Sequence, residues 1–425
     1  MQGLKHALFV VFHYPPEASS SGVLRTLKYS RYLQDYGWRV TVVTPATDAF
    51  EVTDSALEAQ ISPSVRVVRT RFLNTKRHLS WRGAYPSLLA LPDRWIGWWP
   101  WAVAAGKRVL AEDPFDVIYS TSPHATAHLI AWRLANISRK PWVTDFRDPW
   151  FEDIPEPGDR SGPLYHRLNR ALEGRVIQRC NHAVASTTHL RDVLRSRYPQ
   201  ETNKISAILN GYDEADFSAL PAAKSEPNAR MTIVHAGNIN AEFRDPRPLF
   251  RAMRRAADAG ALDPSRVCLR FIGGGAFGES EEVVRALAAT GLASCVEFLP
   301  RVPYEQSLIE LSQADMLLLL QASEDTIGLV PAKLYEYLRA QKPVLSMVLP
   351  GATTDVLDTT GGGWAVAPGD EAALTAVVAN AYRAWLDGTL SAQRADMKVL
   401  QRFDRKLLTG DLAALFDQLA VPPRS

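Results

Sequence analysis

Cysteine is scarce: only Cys180, Cys268 and Cys295 occur in 425 residues. An odd, widely spaced set excludes a disulfide framework and a clustered thiolate metal site, and points to a reducing, cytoplasmic setting. Net charge is scarce too. Lys and Arg number 48 against 46 Asp and Glu, leaving +2, so bulk charge does not mark a nucleic-acid binder. No apolar run approaches the roughly 20 residues that span a bilayer. The short apolar run in "MQGLKHALFVVFHYPPEA" precedes no small-residue cleavage site, so it reads as a first strand entering a loop. Solenoid repeats and low-complexity tracts are missing as well.

What is present describes a soluble globular chain, 46% hydrophobic and 22% charged, of a length that suits two domains. Strand-like and helical segments alternate. "HALFVVF", "WRVTVVTP", "DVIYSTSP", "PWVTDF" and "HAVAST" are separated by helical stretches such as "GVLRTLKYSRYLQDYG" and "HATAHLIAWRLANIS". The polar stretch 212–231 reads as a linker. After it the rhythm restarts with "TIVHAGN", "VCLRFIGGG", "VEFLPRV", "DMLLLLQ" and "PVLSMVL". Two blocks of βαβ units predict two Rossmann-like, doubly wound parallel sheets facing a cleft. The expected domains are 1–211, rejoined by a C-terminal helix at about 404–425, and 212–403.

In such sheets ligands sit beyond the carboxyl ends of strands, so the following loops hold the candidate residues. "HYPPEASSSG" ends at Gly22 just before a helix, where backbone N–H groups can approach an anion. "TDFRDPW" crowds Asp145, Arg147 and Asp148 at a strand end, as a structural ion pair or as reactive groups. His124 and His128 stand four apart. With no third ligand nearby, capping or core packing explains them better than a metal, and His124 is kept as a catalytic candidate. "HAGNINAEFRDPRPLF" offers a turn at Gly237 and Asn238, then Arg244 and Arg247 ahead of a helix, a pattern suited to a pyrophosphate. "FIGGGAFG" matches G-x-G-x-x-G, but the later acidic residue of a dinucleotide site is absent. It reads as a tight glycine turn, Gly274 included, lining a nucleotide pocket.

"GLVPAKLYEYLRAQKPVL" places Lys333 and Glu336 on one face of a helix that Pro331 opens at its first position. The two are expected to touch in the empty protein. Such an exposed pair is worth only about 0–1 kcal/mol, so a ligand separates it easily.

Taken together, "YPPEASSSGVLRTLKYSRYLQDYGWRVTVVTP", "NGYD", "HAGNI", "FIGGG" and "EYLRAQKPVL" resemble a GT-B fold glycosyltransferase of family 4 (group 1), over nearly the whole chain. The resemblance implies that Glu336 holds the ribose hydroxyls of a sugar nucleotide. Lys333 with Arg244 or Arg247 would neutralise the diphosphate, and Gly22 would face it. Gly328 stands where the family's Glu-x7-Glu motif has its first Glu, so Lys333 and backbone N–H groups would carry the diphosphate there. Arg147–Asp148 replaces a frequent His-Asp, exchanging a titratable imidazole for a fixed cation. The implied activity is retaining transfer from a nucleoside-diphosphate sugar to a saccharide or lipid-linked acceptor, in surface polysaccharide or glycoconjugate synthesis. No cofactor and no metal are expected, because the chain lacks an Asp-x-Asp pair. Same-fold alternatives are a sugar-nucleotide 2-epimerase and a non-catalytic sugar-nucleotide-binding subunit.

The segment 71–108 holds five of the 11 Trp (Trp81, Trp95, Trp98, Trp99, Trp101) among Lys76, Arg77, Arg94, Lys107 and Arg108. That mixture suits peripheral contact with the inner membrane face, sugar stacking, or core packing. Trp98 and Trp99 are expected to be partly exposed.

Overall fold

A computed structural model describes residues 4–20, 22–82, 85–151, 162–221 and 228–420. The chain divides into two compact units, one running to Asn210 and resuming at Arg405, the other spanning Gly211–Asp404.

The first unit holds seven strands: β1 (Lys5–Val10), β2 (Trp38–Pro45), β3 (Arg66–Thr70), β4 (Val117–Thr121), β5 (Trp142–Phe146), β6 (His182–Ala185) and β7 (Ile205–Ala207). They form one parallel sheet in the order β3-β2-β1-β4-β5-β6-β7. The second unit holds β8 (Met231–Ala236), β9 (Val267–Ile272), β10 (Val296–Leu299), β11 (Met316–Gln321), β12 (Val344–Val348) and β13 (Gly363–Val366). Their order is β10-β9-β8-β11-β12-β13, again all parallel.

Helices cover both faces of such sheets, so the central strands are apolar without alternation. Ala7 to Val10 of β1 and Met316 to Leu319 of β11 are fully buried, which is why "ALFV" and "MLLL" read as runs. The helix Gly22–Tyr32 passes into a tighter turn, Leu33–Tyr36, that Gly37 closes at φ 82°. The last helix, Arg405–Ala420, seats Phe416 against Phe9 and Trp38 of the first unit. In each sheet the strand order reverses direction once, between β1 and β4 and between β8 and β11. Loops leaving these strands open into the crevice where such sheets bind ligands.

Three expectations change. The stretch 212–231 is not simply a linker: Tyr212 and Phe217 are buried in the second unit and Glu214 pairs with Arg339. Residues 222–227 of that stretch lie outside the described ones. Pro331 is the residue before the helix Ala332–Arg339, extended at ψ 134°, rather than its first member. Trp98 is not partly exposed but fully buried, its indole N–H donating to Thr70 Oγ1 at 2.7 Å. Two of the segment's aromatics, Trp95 and Trp98, pack on Phe12 just after β1, at ring-centroid distances of 4.4 and 6.2 Å. Only Trp81 of the five is widely exposed, at 79%.

Candidate functional site

Two loop clusters, one in each unit, collect the candidate residues. In the second unit β8 ends at Ala236, and Gly237 follows at φ 117°, a conformation that L side chains rarely adopt. A Cβ at Gly237 would also stand 2.4 Å from the Lys333 ammonium. The turn is locked to its neighbour after β9. Gly237 N–H donates to Ile272 O at 2.8 Å, and Ile239 N–H to Gly274 O at 3.1 Å. Gly275, at φ 72°, lies so close to Asn238 that a Cβ would be 2.2 Å from Oδ1. Backbone from two adjacent strands is thereby brought to one edge.

Lys333 reaches this edge from the helix Ala332–Arg339, its Nζ donating to Ala236 O at 2.6 Å. One turn on, the Tyr337 hydroxyl accepts the Ala236 N–H at 2.8 Å. Desolvation and nearby Arg244 push the Lys333 pKa down to about 8, against the opposing pull of Glu336. Arg244 lies over the Phe243 ring at 4.8 Å, and no carboxylate pairs with it among the described residues. Burial lowers its pKa as well. Arg247 differs. Its Nε donates to both Asp245 oxygens at 2.9 Å and its Nη1 to Glu282 at 2.6 Å, so two carboxylates already neutralise it. Of the two arginines, Arg244 is the one left open to an anion.

Glu336 is 9% exposed and accepts from the Tyr304 hydroxyl at 2.9 Å. The expected Lys333–Glu336 contact is replaced: Lys333 turns to backbone, and no ion pair joins the two among the described residues. Gly328 is half-buried in a loop held on both sides. Gln321 Nε2 donates to Thr326 O at 3.0 Å and to Leu329 O at 3.3 Å, and Ala352 N–H donates to Ile327 O at 2.8 Å.

In the first unit Gly22 opens its helix directly against Arg147, so closely that a Cβ would lie 1.6 Å from Nη1. Arg147 is 8% exposed and anchored by its backbone: N–H to Ser122 Oγ, and O from Ser186 Oγ, each at 2.7 Å. Its Nε and Nη1 have no hydrogen-bond partner among the described residues. Burial pushes its pKa down, with Asp148 and Asp145 opposing. Asp145 itself belongs to a different arginine. Arg25 meets it with two hydrogen bonds, at 3.0 and 2.7 Å, while Tyr119 and Thr121 hydroxyls fill its remaining sites. The three charges of "TDFRDPW" thus separate into a structural Asp145, a buried Arg147 with no ion pair among the described residues and a half-buried Asp148.

His124 and His128 do not act together. His128 is fully buried and bonded to Ser120 Oγ at 2.8 Å. His124 instead stacks on His13, ring centroids 5.2 Å apart, and meets Phe12 edge-on at 4.3 Å. Burial holds its pKa well below the usual value. His13, Glu17 and Tyr304 were not singled out by sequence; "HYPPE" carries the four-residue spacing, but in a loop that spacing has no helical meaning.

The sequence matches the Glycosyltransferase Family 4 model over residues 23–216 and the Glycosyl transferases group 1 model over 230–384. The chain belongs to these glycosyltransferases. No curated protein shows significant similarity to it. Solved structures share its fold. A glycosyltransferase from Rickettsia africae superposes at a TM-score of 0.67 with 13% identity, covering 99% of both chains. Anabaena HepE in complex with UDP and glucose reaches 0.61 at 16% identity, over 98% of this chain and 100% of its own. A putative UDP-N-acetylglucosamine 2-epimerase from Listeria monocytogenes reaches 0.58 at 12%, over 98% and 96%. The GT-B architecture is therefore common to transferase and epimerase neighbours, and the local chemistry has to distinguish them. For a glycosyltransferase, the second-unit cluster offers two cations, backbone turns and a carboxylate, and the first-unit cluster offers a buried guanidinium beside a helix start.

Proposed function

We propose that this glycosyltransferase moves a sugar from a nucleoside-diphosphate sugar to a saccharide or lipid-linked acceptor, retaining the anomeric configuration and using no divalent metal. The observation that carries this reading is the pairing of Lys333 with Arg244, two neighbouring cations in no ion pair with a carboxylate among the described residues, at the locked Gly237 and Gly274 turns. A diphosphate supplies the missing negative charge, and its departure builds more, which fixed cations stabilise. Glu336, on the same helix face as Lys333, would accept the ribose hydroxyls, displacing Tyr304. Retention rests on the family resemblance, and metal independence on the missing Asp-x-Asp pair together with these cations. Screening nucleotide sugars for thermal stabilisation, with UDP-glucose first, tests the donor. A ligand at 100 times its Kd stabilises by about 2.7 kcal/mol. Transfer should persist in excess EDTA, and product NMR should show the donor's anomeric configuration. Activity lost in EDTA and restored by Mn²⁺, or an inverted linkage, contradicts the corresponding half.

We place the enzyme in the cytoplasm at the inner membrane face, acting in surface polysaccharide or glycoconjugate synthesis. No helix among the described residues is long and apolar enough to cross a membrane. The surface offered for peripheral contact is Leu79, Trp81, Leu88 and Leu89, 49–79% exposed, beside Lys76, Arg77 and Arg82. Trp81→Ser should reduce sedimentation with anionic liposomes and leave the melting temperature unchanged. Trp98→Ala should do the reverse, destabilising the fold by about 3–5 kcal/mol. Equal liposome binding by Trp81→Ser and the parent removes this surface.

A further inference from the structure

The stretch 212–218, part of the segment that reads as a linker, brings a second carboxylate to the hydroxyl that Glu336 binds. Its short helix Glu214–Ser218 starts where the Asp213 side chain accepts the Ala215 N–H at 3.0 Å. Glu214 then clamps it to the helix Ala332–Arg339. Arg339 Nε donates to Glu214 Oε2 at 2.6 Å, and the guanidinium lies over the Phe217 ring at 5.0 Å. Phe217 is 8% exposed and Tyr212 1%, so burial seats the segment as well as charge. Glu336 stands three residues before Arg339 on one helix, and Asp216 two after Glu214 on the other, all within the second unit. The clamp therefore fixes where the two carboxylates stand relative to each other.

Tyr304 lies between them. It is the first residue of the helix Tyr304–Gln313, which follows β10 and is anchored by buried Leu308 and Leu311. Its hydroxyl is 2.9 Å from Glu336 Oε1 and 3.4 Å from Asp216 Oδ2. A phenol carries one hydrogen and an ionised carboxylate only accepts, so one of the two bonds is made at a time. The distances say which. The Glu336 contact is a made bond, whereas the Asp216 contact lies beyond the roughly 2.5–3.0 Å of O–H···O bonds. The hydrogen thus belongs to Glu336, with a second acceptor close by. Turning the O–H about the phenol C–O bond exchanges one acceptor for the other and leaves the ring in place.

We infer that Asp216 receives the Tyr304 hydroxyl when a ribose takes Glu336, and that this exchange lets the site tell a ribose from a deoxyribose. The inference rests on the donor reading above, in which ribose hydroxyls displace Tyr304 from Glu336. A 2′,3′-diol reaches for both oxygens of a carboxylate, including the one that Tyr304 holds. A 2′-deoxyribose keeps a single ring hydroxyl, which uses the other oxygen and leaves Tyr304 where it is. Displacing Tyr304 without a new acceptor would forfeit a hydrogen bond to a charged group and cancel the one that the diol gains. Asp216 removes that loss. It acts through Tyr304, as a positioning residue.

Three bonds enter the balance for UDP: ribose to Glu336 is gained, Tyr304 to Glu336 is lost, and Tyr304 to Asp216 is gained. Without Asp216 the last gain disappears, and UDP should bind about 10- to 100-fold more weakly, the worth of one hydrogen bond to a charged group. 2′-Deoxy-UDP, which leaves Tyr304 on Glu336, should hardly change, so the preference for UDP shrinks by the same factor. Without Tyr304 there is no bond to lose or to regain. Tyr304→Phe alone should therefore alter UDP affinity by less than about threefold, and added to Asp216→Ala it should bring back what that change removed. Any other contact of Asp216 is lost in both backgrounds alike.

The test measures Kd by calorimetry for UDP and 2′-deoxy-UDP with the parent, Asp216→Ala, Tyr304→Phe and the double variant, and with Asp216→Asn as the conservative change. Asn keeps an acceptor oxygen, so Asp216→Asn should hold UDP affinity closer to the parent's than Asp216→Ala does. The expected result is a loss of UDP affinity in Asp216→Ala that Tyr304→Phe reverses, with 2′-deoxy-UDP unaffected. An equal loss in the tyrosine and phenylalanine backgrounds overturns the exchange, as does a folded Asp216→Ala variant that binds UDP as the parent does. Should Asp216→Ala fail to fold, a crystal structure of the parent with UDP decides. The Tyr304 hydroxyl is expected within about 3.0 Å of Asp216 and off Glu336, and a hydroxyl still on Glu336 beside the bound ribose overturns the inference. A parent that binds neither nucleotide overturns the donor reading itself, whereas these failures in a parent that binds UDP overturn the exchange alone.

Discussion

Replacing Lys333 by Met should lower kcat for transfer by about 10²–10³-fold, the loss seen when one preorganised donor to a developing oxyanion is removed. UDP affinity should fall in parallel, because the same ammonium meets the ground-state diphosphate. The empty protein should tolerate the change, since the Ala236 carbonyl that Lys333 contacts also faces the Tyr337 hydroxyl at 3.4 Å. Glu336→Gln should cost less, about 1.5–3 kcal/mol in donor binding, corresponding to charged hydrogen bonds to hydroxyls. The Lys333 reading also fixes a pH dependence. With a pKa of about 8 in the empty site, Lys333 is partly neutral above that pH. A bound diphosphate favours the charged form, so the pKa rises in the complex and binding takes up a proton. UDP affinity should be flat below about pH 7 and weaken from there to pH 9. Calorimetry at pH 8.5 in buffers of different ionisation enthalpy should register the uptake. A pH-independent UDP affinity that survives Lys333→Met would remove Lys333 from the site.

Gly22→Ala should be the most informative single change in the first unit. Alanine is the better helix former, and Gly22 is not in the left-handed region, so the helix itself gains. Its methyl group, however, would occupy the place of the Arg147 guanidinium. The arginine must move, and its two unpartnered nitrogens with it. Arg147 lies beside a helix N-terminus, and Asp145 is already taken by Arg25, which suits the guanidinium to a bound anion. Transfer should fall by about 10²-fold or more, the cost of misaligning one electrostatic donor, with the melting temperature held. Arg147→Lys should not restore it, because an ammonium cannot reproduce the planar fork. Full activity in a folded Gly22→Ala enzyme would show that the guanidinium has no part in the reaction.

The fold was readable because each central strand is a buried run bounded by turn residues, a pattern set locally. "HAGN", "FIGGG" and "PAKLYEY" were readable for the same reason: glycine turns and a proline before a helix are local devices. What remained hidden depends on distance in the chain. Nothing in "SSSG" shows that Gly22 lies against Arg147, or in "HAGN" that Gly237 leaves room for Lys333. The spacing of Lys333 and Glu336 correctly puts them on one helix face. Their partners, Ala236 and Tyr304, come from other elements, so the expected mutual contact did not form. Trp98 misled for a related reason, since neighbouring charges suggested an interface while its indole N–H had found Thr70. The partners of Arg247 and Arg25 likewise decide which arginine is open, and composition says nothing about either.

The central claim is that the second unit's cation pair and Glu336 hold a nucleoside-diphosphate sugar. A crystal structure of the enzyme with UDP-glucose tests it most directly. Diphosphate oxygens within hydrogen-bond distance of Lys333 Nζ and Arg244, with ribose hydroxyls on the Glu336 carboxylate in place of Tyr304, are the predicted result. UDP-glucose seated elsewhere, with Lys333 still on Ala236 and Glu336 still on Tyr304, would contradict it.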